Sequence, residues 1–331
     1  METLGIVETS ARDLSPKELE ILFRNGQFSV CVVGLGRIGL PTAVTFAEAG
    51  AKVLAADINP SVVELVNSGR SRFVDEPGLD KLLAEMVASH RLRATDDVAY
   101  AVSECEATII CVPTPLNESR VPDYTPIHTA SESVGRGLQR GHLVIFESTV
   151  GPGVIEGSLV PRMEKVSKLR AGSGFAVAAC PERADPGRIL QDLRKLPRVV
   201  GGIDTKSLEL ASTLYKLAFG VDIVEVSDPK TANAVKLSEN IFRDVNIALS
   251  NELALLYGRM GIDAVEVINA CATKYNYVAH YPGCGVGGPC LPCNPYYLPP
   301  AARQGVVQAS SVHCSCRDAL SPQMYLLIIE S

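Results

Sequence analysis

The chain has no excess of positive charge: 31 lysines and arginines stand against 37 aspartates and glutamates, a formal net charge of −6. That balance excludes a general nucleic-acid-binding face, which needs a basic surface, while leaving room for a local basic pocket around one phosphorylated ligand. No run of about 18 uncharged apolar residues occurs, so no membrane span is expected. A secretory leader is also missing: Met1-Glu2-Thr3 is acidic where such a leader is basic, and no apolar run follows. Without an export signal the ten cysteines are expected to be reduced, buried or catalytic rather than disulfide-bonded, and the protein is expected in the cytoplasm. There is no internal repeat. What is present, 331 residues that are 47% hydrophobic and 21% charged, suits a soluble globular protein of two domains.

Ser15-Pro16-Lys17-Glu18 supplies a cap, a first-turn proline and a capping-box glutamate for a helix over 15–25. Ser29–Val33 reads as a buried strand, and further strands are predicted at Lys52–Ala56, Ala107–Val112, Leu143–Phe146, Phe175–Ala179 and Arg198–Val200. Continuous apolar strands alternating with helical patterns predict a Rossmann-like, doubly wound parallel sheet covered on both faces. The texture changes near residue 228. Asp228–Met260 carries helical apolar periodicity at Val235, Ile241, Val245, Ala248, Leu249, Leu253 and Leu256. A helix this long exceeds what one small core needs, so it is expected to span domains or to pack against a second copy in a homodimer. A shorter helix over Asp263–Ala272 and a glycine-rich Pro282–Pro295 follow. The expected organisation is an N-terminal extension over 1–28, a dinucleotide-binding domain over 29–204, an all-α central domain over 205–304 and an atypical tail over 305–331.

Gly34-x-Gly36-x-x-Gly39 follows a strand, opens a helix, and precedes a second strand that ends at Asp57, about 20 residues on. In that context the glycines permit a tight turn and close approach of a pyrophosphate, which the helix N-terminus attracts. Arg37 and Ile38 complete the loop. Asp57 is placed to bond the adenosine ribose hydroxyls, and its charge disfavours a 2′-phosphate, so NAD is expected rather than NADP. The competing reading is a glycine turn that binds no nucleotide.

A second loop, Pro282-Gly283-Cys284-Gly285-Val286-Gly287-Gly288-Pro289-Cys290, is glycine-dense and ends on a cysteine, an arrangement that can present a nucleophile. The loop resembles the catalytic loop of the UDP-glucose/GDP-mannose dehydrogenase family, most of all the branch that oxidises UDP-N-acetylhexosamines such as UDP-N-acetylmannosamine. The resemblance runs from about Ser29 to Ala302. Gly34–Pro41 resembles the family's GxGxxGLP, Cys111–Leu116 its VPTPL, and Glu147–Gly153 its STVxPG. Pro181-Glu182-Arg183 with Pro186-Gly187 and Arg198–Gly202 resembles PERxxPG and RVVGG, and Lys236–Asn246 resembles KLxENxxRDVN.

Membership of that family implies an enzyme of polysaccharide biosynthesis that takes the C6 alcohol of a UDP-sugar to a carboxylate with two NAD. Cys290 is then the nucleophile that holds the aldehyde and becomes a thioester. Lys236 is the base or oxyanion partner, and Asn240, one turn on, holds a water or the substrate oxygen. Glu182 activates the hydrolytic water and Thr114 helps to position it, while Pro113, Thr114, Ser148 and Thr149 line the cofactor. Asn294 stands where the family has an acidic residue and cannot accept a proton. Lys274 stands near the position of a substrate-binding arginine. The family also has a C-terminal α/β domain that the last 25 or so residues do not resemble. Truncation or a frame disruption in the source gene would explain that tail, which the downstream nucleotide sequence would test.

Other readings stay open. Cys290-x-x-Cys293 with His313, Cys314 and Cys316 offers zinc-type ligands, but the spacing is irregular and no metal is expected. An inactive remnant that binds NAD and dimerises, a UDP-glucose 6-dehydrogenase, and a β-hydroxyacid dehydrogenase that needs no cysteine are the remaining alternatives.

Overall fold

The computed structural model describes residues 11–288 and 290–298. The expected tail over 305–331, and with it His313, Cys314 and Cys316, lies outside the described residues. Among the described residues eight strands form one sheet: β1 (Ser29–Val33), β2 (Lys52–Ala56), β3 (Leu92–Thr95), β4 (Ala107–Ile110), β5 (Leu143–Phe146), β6 (Ala176–Ala179), β7 (Arg198–Gly202) and β8 (Ile223–Val226). Their order is β3-β2-β1-β4-β5-β6-β7-β8. Strands β4, β5 and β6 are buried along their whole length, as strands covered on both faces must be. Leu92–Thr95 and Ile223–Val226 were not anticipated: both are short edge strands whose residues are partly exposed, so neither forms an apolar run.

The helices are α1 (Pro16–Arg24), α2 (Gly39–Ala49), α3 (Pro60–Asn67), α4 (Leu79–Ala88), α5 (Val98–Ser103), α6 (Thr125–Gly137), α7 (Val160–Ser167), α8 (Ile189–Leu193), α9 (Thr205–Phe219), α10 (Pro229–Met260) and α11 (Ala264–Cys271). The capping box on α1 forms as expected, with Ser15 and Glu18 bonding each other's backbone. One face of the sheet packs on α1, α2 and α9, where Phe46 meets Tyr215 and Phe219 edge-on at 5.8 and 5.2 Å. The other face packs Ile127, Val134, Leu159 and Met163 from α6, α7 and the turn between β5 and α7. Burying each such side chain contributes roughly 1.5–3 kcal/mol.

One pairing departs from the parallel rule. β7 runs antiparallel to β6, with Ala178 opposite Gly202 and Ala179 opposite Gly201. The connection therefore stays at the carboxyl edge of the sheet, and β7 enters from that edge with Arg198 first. Extending the register brings Arg198 opposite Glu182.

The chain forms two compact units. One holds residues up to Pro115 together with Asp123–Lys236; the other holds Leu116–Pro122 with the residues from Leu237 on. The division falls inside α10, later than the expected boundary after residue 204, because α9 packs on the sheet and β8 extends it. The part of α10 in the second unit leaves Phe242, Leu249, Leu255 and Met260 exposed. Among the described residues no helix is long and apolar enough to cross a membrane.

Candidate active site

In the first unit the loop after β1 is as tight as its glycines require. Gly34 has φ 92°, a left-handed conformation that side chains rarely adopt. A Cβ on Gly39 would lie 1.8 Å from the Gly34 carbonyl oxygen, whereas one on Gly36 would meet nothing within 4 Å. α2 starts at Gly39 with no side-chain cap, and Leu40 N–H bonds the Gly36 carbonyl at 3.2 Å, which closes the turn onto the helix. Asp57 accepts from the backbone N–H of Leu35 (2.8 Å) and of Asn59 (3.0 Å), which fixes its carboxylate beside that loop. Arg37 pairs with Asp75 at 2.6 Å and lies over the Phe73 ring, and Ile38 packs into the core. Open space at Gly36, a helix N-terminus beside it and a fixed carboxylate together suit a dinucleotide.

The ends of β4 and β5 are fastened together. Ser148 donates its hydroxyl hydrogen to the carbonyls of Val112 (2.8 Å) and Ile110 (3.2 Å), and Thr114 donates to the Thr149 carbonyl at 2.8 Å. The four residues expected to line the cofactor, Pro113, Thr114, Ser148 and Thr149, thus form one patch at the carboxyl edge.

Glu182 is buried there. One oxygen accepts from the N–H groups of Arg183 (2.6 Å) and Ala184 (2.7 Å); the other pairs with Arg198. Arg198 also pairs with Glu147 at 2.6 Å, and Glu147 accepts from Tyr215 (2.8 Å), Thr42 (3.1 Å) and Cys111 (3.2 Å). Burial works against the charge on Glu182, but Arg198 and the two backbone donors outweigh it and hold its pKa below the usual value. For Glu147 burial dominates and, with Glu182 adding repulsion, pushes the pKa up against the pull of Arg198. The sequence reading missed Glu147, Arg198 and Tyr215 as site residues. The available signal was a charged residue directly after one apolar strand, Glu147 after β5, and another opening a later one, Arg198 at the start of β7.

Lys236 is buried on α10 within the same unit, one turn beyond Asn233 and Ala232. Its helix is anchored at the start, where Asp228 accepts from Thr231 N–H at 2.8 Å and Glu156 from Lys230 N–H at 3.2 Å.

In the second unit Asn240 donates its side-chain amide to the Asn294 carbonyl oxygen, and Asn294 is buried. The backbone N–H groups of Cys293 (3.0 Å) and Asn294 (2.9 Å) both bond the Cys290 carbonyl, so Cys290 heads a tight turn that leads into a 3-10 helix over Asn294–Tyr297. The thiol-bearing residue itself is exposed. The glycine loop is tied to α10 through Gly283 N–H to Asn251 (2.8 Å) and Ser250 to the His280 carbonyl (2.7 Å). Lys274 is exposed on the turn after α11. Among the described residues no three histidine, cysteine or carboxylate side chains are grouped to hold a metal ion.

Residues 28–219 match the family model for the NAD binding domain of the UDP-glucose/GDP-mannose dehydrogenase family, and residues 230–316 match the model for its central domain. A UDP-N-acetyl-D-mannosamine dehydrogenase of Pyrococcus horikoshii is 42% identical over 269 residues, covering 81% of this chain and 63% of that protein. A UDP-N-acetyl-D-glucosamine 6-dehydrogenase of Pseudomonas aeruginosa is 39% identical over 269 residues, with 81% and 62% covered. The solved structure of the Pyrococcus horikoshii enzyme superposes with a TM-score of 0.82 at 38% identity, over 91% of this chain and 71% of that one. A UDP-glucose dehydrogenase of Pyrobaculum islandicum also gives 0.82, at 30% identity, over 92% and 71%. The chain spans 63% and 62% of the length of the two curated relatives it matches here.

Proposed function

Because this chain belongs to the UDP-glucose/GDP-mannose dehydrogenase family, we propose that it oxidises the C6 alcohol of a UDP-N-acetylhexosamine, UDP-N-acetylmannosamine first, to the uronic acid. The observation that carries this reading is the exposed Cys290 at the head of a turn whose fourth following residue, Asn294, is bonded to Asn240 on α10. An accessible thiol on a braced turn is what a covalent aldehyde carrier requires.

The cofactor fits the first unit: Gly34 and Gly39 make the tight turn, Gly36 leaves open space for a pyrophosphate, and Asp57 is fixed to take the ribose hydroxyls. When bound there, NAD supplies the acceptor for hydride. The chain's own residues do the rest. Lys236 takes the proton of the C6 alcohol or balances the developing oxyanion, and Asn240 holds the oxygen in place. The Cys290 thiolate adds to the aldehyde carbon, so the aldehyde stays attached as a thiohemiacetal and, once oxidised, as a thioester. Glu182, with Thr114 beside the nicotinamide patch, directs water to the thioester; the C–S bond breaks, the acid leaves and the thiolate is restored. Two copies pair through α10, whose outer half presents Phe242, Leu249, Leu255 and Met260.

One observation favours a second reading. Asn294 offers an amide where the family has a carboxylate, which supports a chain that binds NAD without turning over. Both readings are tested by following NADH formation with UDP-N-acetylmannosamine, UDP-N-acetylglucosamine and UDP-glucose. Two NADH per sugar establish the four-electron oxidation. No NADH from any of them, in folded protein that binds NAD, leaves the non-catalytic reading standing.

A further inference from the structure

The first unit buries two carboxylates on one guanidinium. Arg198 on β7 reaches Glu147 at the end of β5 and Glu182 after β6. Its charge is further enclosed by the Cys180 sulfur at 3.4 Å and by the rings of Tyr215 and Phe219 on α9, 5.1 and 5.2 Å from the guanidinium carbon. With both carboxyls ionised the cluster carries one uncompensated negative charge away from water, which is costly enough that one carboxyl is under pressure to hold a proton.

The two carboxyls differ in how they could hold it. Every partner on Glu182 is a fixed donor: the N–H groups of Arg183 and Ala184 and the guanidinium of Arg198. A proton on Glu182 would find no acceptor among these partners. Glu147 is different. Its first oxygen faces Arg198 and Tyr215, while its second faces the Thr42 hydroxyl and the Cys111 thiol. A hydroxyl and a thiol accept as well as donate, so a proton on that second oxygen finds an acceptor there once one of them turns its own hydrogen away. The groups facing the cluster are therefore Arg198, Tyr215, Cys111, Cys180, Thr42 and the two carboxyls, with Arg183 alongside.

We propose that Arg198 is a positioning residue for Glu182 and that Glu147 is the carboxyl that takes the cluster's proton, leaving Glu182 ionised and aimed at its water. The opposite directions of the two pKa shifts agree with this division. The inference rests on the reading of Glu182 as the group that acts on water, but its test does not need turnover.

The test is a carboxyl titration by NMR of the full chain labelled at the glutamate side-chain carbon. Glu182→Gln and Glu147→Gln identify the two signals, and Glu147→Gln preserves an acceptor for Arg198 and Tyr215. The signal that titrates high is expected to vanish in Glu147→Gln. Arg198→Lys is expected to keep Glu182 low, whereas the Arg198→Met/Glu147→Gln double variant, which still buries a single anion, is expected to raise it by about 1–3 pH units. A high-titrating signal that vanishes in Glu182→Gln instead, or a Glu182 signal unmoved in the double variant, overturns the proposal. Absence of turnover would count against the proposed function while the titration still decides the roles of Arg198 and Glu147.

Discussion

Replacing Gly36 and Gly39 one at a time by alanine separates folding from cofactor binding within a single loop. A methyl on Gly39 would sit 1.8 Å from the Gly34 carbonyl oxygen and 3.0 Å from the Cys111 side chain. Relief requires a shift of more than 1 Å, roughly, in backbone that is packed on both sides, and overpacking of that kind costs about 1–3 kcal/mol or more. Near the upper end, a domain of this size loses roughly 6 °C or more in Tm. Gly36 is the opposite case. It has no positive φ and its added methyl meets nothing within 4 Å, so Gly36→Ala is expected to keep the Tm or to raise it by about 1–3 °C through the unfolded chain. The same open space is where a pyrophosphate must approach, so NAD affinity is expected to fall about tenfold or more, or at least 1.4 kcal/mol. Thermal melts paired with NAD titration calorimetry read both quantities. A Gly36→Ala protein that binds NAD like the parent would show that this space does not face the cofactor. A Gly39→Ala protein with an unchanged Tm would refute the packing argument.

Three further outcomes follow from single residues. His142 is buried against Thr108 at 2.7 Å, and burial pushes its pKa down to about 3. Its unfolded value is near 6.5, so between those values the unfolded chain binds a proton that the folded one does not. Stability from this residue is thus complete above about pH 6.5 and falls by up to about 1.4 kcal/mol per pH unit toward pH 3. Denaturant unfolding of His142→Gln across that window is expected to show a flatter slope, and an identical slope would exclude His142 as the source. Asn294→Asp puts a carboxylate oxygen where the Asn240 amide already donates. It is expected to raise the rate of NADH formation about tenfold or more by restoring a proton acceptor, and an unchanged rate in folded protein would show that this position carries no proton. Cys290→Ser is expected to abolish the second NADH; full activity would instead favour a dehydrogenase that needs no cysteine.

Much of the site was legible as order along the chain. A strand, three glycines, a helix and Asp57 after a second strand specify a tight loop because each residue type answers a local demand: a positive φ at Gly34, a close approach at Gly39, a carboxylate at Asp57 for the Leu35 N–H. The capping box at Ser15 and Glu18 and the span of α10 were legible for the same reason, since neighbours in sequence make those contacts. The edge strands β3 and β8 were not, because partly exposed strands carry no apolar run.

Strand direction is likewise absent from hydrophobic periodicity, which reads the same both ways. Only the tertiary structure showed that β7 turns back against β6. That reversal puts Arg198 at the edge where Glu147 and Glu182 emerge and makes one cluster of three charges that lie far apart in the chain. Local chemistry was decided by the sequence; the protonation of the buried carboxyls depends on which distant charges the fold brings together, and no window of residues contains that information.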